Sequence, residues 1–185
     1  LTAHIFSDNG RPAVKGLSSL QEASLLTAKL AKAFLGKQEC AGDAFTAALL
    51  HDIGKVVLLQ GLPQQYEKVL DLARQSERPV HVIEREVLGA THAEIGAHLL
   101  GIWGLPFDTM EVVCHHHAPS RVTSGRLDLL AAVHVADAFA DNTCLPGKQT
   151  VEGVLDMAFL ERSGFAKDLP AWRELAREAV QGAAA

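Results

Sequence analysis

The run AALLHDIGKV at residues 47–56 sets His51, Asp52 and Lys55 within an otherwise apolar stretch. An imidazole beside a carboxylate is a pair that can ligate a metal. Neighbouring side chains on a helix diverge by about 100°, yet two of them at a helix edge can still converge on one ion. Lys55 lies one turn beyond His51, where its cation would sit beside any anion bound to such a metal. The plainer reading of these residues is a helix end with solvated polar side chains, and the pair alone does not choose between the two.

More ionisable residues follow. ATHAEIGAHLLGIWGLP places His92 and Gly96 on one helical face, and the glycine lets another backbone or a ligand come close. His98, roughly 600° past His92 along the helix, points elsewhere and reads as an ordinary surface or packing histidine. In EVVCHHHAPS the consecutive residues His115, His116 and His117 cannot all face one way, so one or two can reach a metal. Such a run is also favoured at a helix C-terminus by the partial negative charge there. LLAAVHVADAFAD buries Asp137 in an apolar helix, where a carboxylate needs a partner. His134, one turn earlier, either bonds that carboxylate or supports a metal ligand. The set His51, Asp52, His92, His116 and/or His117, and Asp137 comes from four separate helices. Its mixture of imidazole and carboxylate suits iron, manganese, zinc or nickel better than magnesium alone.

The elements that must position these groups are helical throughout. Leu20, Ala23, Leu26, Leu30 and Phe34 recur at spacings of three and four, which predicts a helix over 17–36 that Gly36 stops. Asp43 is expected to cap a second helix that runs through the His-Asp pair as far as Gly61-Leu62-Pro63. Further helices are expected at about 64–74, 80–88, 91–103, 107–117, 125–141, 150–160 and 170–183, punctuated at Gly104-Leu105-Pro106, Pro119 and Pro146-Gly147. With no alternating strand pattern, the fold class is all-α, a bundle of about eight or nine helices. Trp172, Leu175 and Val180 read as core packing.

At 185 residues and 48% hydrophobic content, the chain can bury one sizeable core, which favours a single domain over 1–185. A net charge of −5 without a basic face argues against a nucleic-acid surface. No apolar run reaches the roughly 18 residues of a membrane span. Cys40, Cys114 and Cys144 form no C-x-x-C pair and leave one odd, which fits a reducing compartment, so a cytoplasmic location is expected.

Taken in order, AALLHDIGKVVL, LGATHAEIGAHLLGIWGLP, CHHHAP and VHVADAF resemble the HD superfamily of metal-dependent phosphohydrolases, and more closely the HDOD domain, the HD-related output domain of bacterial signalling proteins. The resemblance implies that His51 and Asp52 fill the His-Asp positions, His92 the next ligand position, His116 and His117 the paired histidines, and Asp137 the distal aspartate. Lys55 matches a lysine that lies near substrate phosphate in active relatives. There are two departures from the pattern. Where the first family histidine belongs, SLQEASLL offers Ala23-Ser24, and Glu22 points about 100° away. The chain also lacks the Gly-Tyr-Pro segment of the related cyclic-dinucleotide phosphodiesterases, its one tyrosine being Tyr66. The expectation is therefore a non-catalytic signalling module with a degenerate transition-metal site, a fragment of a response regulator or related protein that begins at Leu1 near an internal junction. Its partners would be other domains of its own full-length chain or a signalling protein, with a nucleotide as ligand. The alternatives are a phosphohydrolase of a nucleotide or cyclic dinucleotide, in which Asp52 and Lys55 are catalytic, and a metal-free helical scaffold.

Overall fold

In the computed structural model, which describes residues 13–144 and 154–183, the chain is all-α and has no strand among the described residues. The opening helix α1 (Ala13–Leu35) ends where Gly36 turns to φ +60° and donates its N–H to the Lys32 carbonyl. Only a residue without a Cβ enters that conformation at no steric cost. Two short helices follow, α2 (Ala41–Leu50) and α3 (Ile53–Gly61). The expected single helix is thus two. The His51 ring Nδ1–H donates to the Ala48 carbonyl at 2.6 Å, and Asp52 moves to φ −100°, ψ 9°, which breaks the helix at the His-Asp pair. Asp43 does not cap α2 either. Cys40 occupies that place without a side-chain capping bond, its thiol donating instead to Asp128, and Asp43 lies in the first turn, where its charge meets the positive end of the helix.

Helix α4 (Pro63–Ser76) begins on Pro63, α5 (Val80–Leu88) follows Pro79, and α6 (His92–Ile102) is set by a capping box in which Thr91 and Glu94 exchange side-chain and backbone hydrogen bonds. Helix α7 (Phe107–His115) leads through a 3-10 turn at Pro119–Arg121 into α8 (Leu127–Cys144). Of the helix expected at 150–160, residues 150–153 lie outside the described residues, Val154 is helical, the helix is interrupted at Leu155-Asp156, and Asp156 caps α9 (Met157–Ser163); α10 (Leu169–Ala183) follows.

The main core lies among α1, α2, α8 and the last two helices. Leu30, Leu129, Leu130, Phe159 and Leu160 are buried within it. Trp172 stacks on Phe34 with ring centroids 4.9 Å apart and donates its indole N–H to the Phe34 carbonyl, and Leu175 packs against the same core. The side chain of Val180 lies outside the described residues. A smaller core of Leu58, Tyr66, Val69, Ala73 and Ile83 joins α3, α4 and α5. Between the cores, α3 crosses α6 backbone to backbone. A Cβ on Gly54 would lie 1.9 Å from the His92 carbonyl oxygen, and one on Gly96 would lie 3.2 Å from the Gly54 nitrogen. Two glycines at one crossing bring the His-Asp turn against the first residue of α6. No helix among the described residues is long and apolar enough to cross a membrane.

Candidate metal centre

The α2–α3 turn supplies His51 and Asp52, the start of α6 supplies His92, the end of α7 supplies His116 and His117, and the middle of α8 supplies Asp137. All six meet. The donor atoms of Asp52, His92, His116 and His117 lie within 4.8 Å of one another, as do those of His51, His116 and Asp137, so His116 belongs to both sets. His51 Nε2 is 3.1 Å from Asp137 Oδ1 and 3.4 Å from Asp52 Oδ2, and His92 Nε2 is 3.1 Å from Asp52 Oδ1 and 3.0 Å from His117 Nε2. His117 also approaches Asp137, its Nδ1 3.8 Å from Oδ2.

Three of the rings are held from behind. His51 Nδ1–H donates to the Ala48 carbonyl, His116 Nδ1–H to the Val113 carbonyl at 2.7 Å, and His92 Nδ1–H to Glu84 Oε2 at 2.7 Å. With Nδ1 engaged in each, Nε2 is turned towards the shared space, the arrangement that fixes the tautomer of a metal-binding imidazole. His51, His92 and His116 are each at most 1% exposed. The donor set passes a direct test of fit: His116 Nε2 is buried with no hydrogen-bond partner, and the buried Asp52 Oδ1 makes no hydrogen bond and faces only His92 Nε2, whose ring proton is on Nδ1. A buried nitrogen and a carboxylate oxygen left in that condition are costly unless a cation satisfies them.

The electrostatics describe the metal-free protein. Burial pulls His51 down, but Asp52 and Asp137 outweigh it and carry the ring up to about 9. Burial would raise both carboxyls, yet His51 and Lys55 hold Asp52 well below the usual range, and His51 brings Asp137 down to about 2. Burial and then the charge on His51 push His116 down to about 3, while burial and the neighbouring His116 and His92 hold His117 low. Protons on some rings and not others thus balance the two carboxylates. Lys55 Nζ donates to Asp52 Oδ2 at 2.6 Å from the edge of the site, where its side chain is 22% exposed.

Sequence reasoning missed three residues. Glu84 is fully buried and accepts the His92 ring N–H, the His92 backbone N–H at 2.7 Å and the Tyr66 hydroxyl at 2.9 Å. Burial would raise its carboxyl, but these bonds, His92 foremost, hold it below the usual range. The available signal was its place on the apolar stripe of VHVIEREVL, four residues after Val80 and next to Ile83. Tyr66 had no such signal, since a tyrosine on an amphipathic helix reads as packing. His81 stacks on His117 with ring centroids 4.2 Å apart. Two other histidines stand outside the donor set. His98 is exposed, and His134 does not bond Asp137: its Nδ1–H donates to the His116 carbonyl at 2.7 Å. Ala23, on α1, is half-buried and brings no imidazole, and the next residue, Ser24, is buried.

The fold has relatives. Three crystal structures share the architecture: a candidate phosphohydrolase from Shewanella amazonensis SB2B (TM-score 0.64, 22% identity, 93% of this chain and 62% of that one), an HDOD domain protein of unknown function from Geobacter sulfurreducens (0.63, 23%, 88% and 61%), and a candidate signal transduction protein from Marinobacter aquaeolei VT8 (0.67, 23%, 90% and 38%). A protein of Treponema pallidum (strain Nichols) is 34% identical over 88 residues, 48% of this chain and 17% of that protein, so the chain spans only a minor part of that relative's length. The HDOD domain family model matches residues 2–119, from which only Asp137 of the six donors is missing. With that match over more than half its length, the chain belongs to the HDOD domain family.

Proposed function

We propose that this HDOD domain is a non-catalytic, cytoplasmic regulatory module of signal transduction, built around a transition-metal site held by His51, Asp52, His92, His116, His117 and Asp137. The observation that carries the reading is the buried donor set, in which His116 Nε2 has no hydrogen-bond partner and Asp52 Oδ1 faces only the His92 ring nitrogen at 3.1 Å. That set suits a cation, while by the family resemblance Ala23 stands in the sequence where the first histidine belongs. Iron, manganese, zinc and nickel all accept this donor set. The site would tie the α2–α3 turn to α6, α7 and α8 when loaded, and the resulting change in stability is what a partner, or another domain of the full-length chain such as a receiver, would sense. The test is elemental analysis of the purified domain beside His51→Ala, with a turnover scan over nucleotides and cyclic dinucleotides. At least one equivalent of metal, lost in the variant, with no hydrolysis, is the expected result. Absence of metal even after loading overturns the site.

One observation favours a phosphohydrolase instead: Lys55 stands at the rim on Asp52 Oδ2, where a cation would meet the charge of a phosphoryl group. When bound, the metal would supply Lewis acidity and a water of lowered pKa. Asp52 would hold the ion, Lys55 would orient the anion, and the buried histidines would exclude bulk water. Metal-dependent hydrolysis that disappears in Asp52→Ala would establish this reading and sink the non-catalytic one.

A further inference from the structure

We propose that His134 is a positioning residue that couples metal ligation at His116 to the docking of α9, so that the C-terminal helices register whether the site is loaded. The proposal deepens the metal-site reading above and rests on it. His134 is 4% exposed and uses both ring nitrogens. Its Nδ1–H donates to the His116 carbonyl at 2.7 Å, and its Nε2 accepts the backbone N–H of Asp156 at 2.9 Å. One nitrogen must donate and the other accept, so the ring is a fixed two-ended link between the peptide of a candidate ligand and the residue that caps α9. Asp156 is itself engaged on both sides. Its Oδ1 accepts the Phe159 N–H at 3.0 Å, and its Oδ2 accepts the Ser120 N–H at 3.2 Å from the 3-10 turn that follows the histidine run. Beyond the cap, Phe159 and Leu160 are wholly buried in the main core.

The His116 peptide therefore has little freedom to move without moving His134, and His134 cannot move without disturbing the cap of α9. Ligation that fixes the His116 ring stabilises the docked helix, and by linkage the docked helix raises metal affinity by the same factor. The outlet for a signal is then the α9–α10 end of the bundle, and the residue that opens it is not a ligand.

The test compares amide hydrogen exchange with and without zinc, alongside zinc affinity by chelator competition. In the wild-type domain, saturating zinc is expected to slow exchange at Asp156 and Phe159 at least tenfold more than at Ala31, which is buried in α1. In His134→Ala the zinc affinity falls about 10- to 100-fold, as for other groups that orient a ligand, and exchange at Asp156 and Phe159 stops responding to zinc. His134→Gln, which keeps one donor and one acceptor, restores part of both. A purely structural histidine would loosen α9 in both states and leave zinc affinity alone. Zinc binding to wild type without the exchange response at α9, or His134→Ala binding zinc as tightly as wild type, overturns the coupling and leaves the metal site standing. Failure of wild type to bind zinc removes both. Should His134→Ala lose its helical circular dichroism, the wild-type comparison alone decides.

Discussion

Replacing Gly54 by alanine probes the crossing that assembles the site, and its sign separates two physical accounts. Helix propensity alone predicts a gain, since alanine is favoured over glycine in a helix interior by about 1 kcal/mol. The crossing predicts a loss. The added Cβ would lie 1.9 Å from the His92 oxygen, 2.7 Å from the His92 carbonyl carbon and 2.9 Å from the Gly96 nitrogen, all of them backbone atoms that no rotamer change can move. Restoring ordinary contact at 3.4 Å requires α3 and α6 to separate by about 1.5 Å, and the cost belongs at the upper end of overpacking, about 3 kcal/mol or more. The same displacement would carry His92 away from Asp52, now 3.1 Å distant, so metal affinity falls together with stability. Urea unfolding followed by circular dichroism measures the first effect and zinc competition the second. Gly42→Ala in α2, where a Cβ meets nothing within 4 Å, serves as the control and is expected to be neutral or stabilising. A Gly54→Ala protein as stable as wild type, with unchanged zinc affinity, would refute the reasoning.

Other changes bear on the groups behind the ligands. Tyr66→Phe keeps the volume but takes the hydroxyl from Glu84, and urea unfolding is expected to show a loss of about 1–3 kcal/mol. Glu84→Gln weakens the hold on the His92 ring, and chelator competition should record a drop in zinc affinity of about 10- to 100-fold. In the metal-free protein, His51 titrates near 9 against 6.5 unfolded. Its protonated ring therefore adds stability that is complete below pH 6.5 and lost as pH rises through 9, about 3 kcal/mol at most. Urea titrations of chelator-treated protein across that window should show the decline in wild type and not in His51→Ala.

Much of the helical framework was legible because amphipathic spacing reports which face is buried: the expected helix at 80–88 coincides with α5, and Gly36 stops α1. The break at His51-Asp52 was not legible, because Asp52 leaves helical geometry only slightly and the apolar pattern runs on across it. The six candidate donors could be picked by type, but their convergence depends on the placement of α6 and α8 against the His-Asp turn, which periodicity does not encode. Glu84 was hidden for a related reason. Its role comes from a partner eight residues away on the next helix, and within its own helix it reads as one charge among Glu84, Arg85 and Glu86. For His134 the spacing left two partners open, Asp137 or the support of a ligand, and only the placement of α7 against α8 shows that its ring turns to the His116 carbonyl.

The separation of the donors along the chain bears on how the molecule is made. His51 and Asp137 stand 86 residues apart yet lie within hydrogen-bonding distance, so the loop between them must close before both can share a ligand. The main core closes loops at least as long, since Phe34 and Trp172 stand 138 residues apart, so the donors converge as that core forms. The two cores consist of side chains outside the donor set, and they supply a reason to collapse that needs no ion. A newly synthesised chain would thus reach its native topology first and acquire metal afterwards, unlike small zinc domains that remain unfolded until loaded. If the proposed site takes a metal, a cell short of the ion would hold the protein as a folded apo form, and supply of the ion would set the state of the domain rather than its abundance.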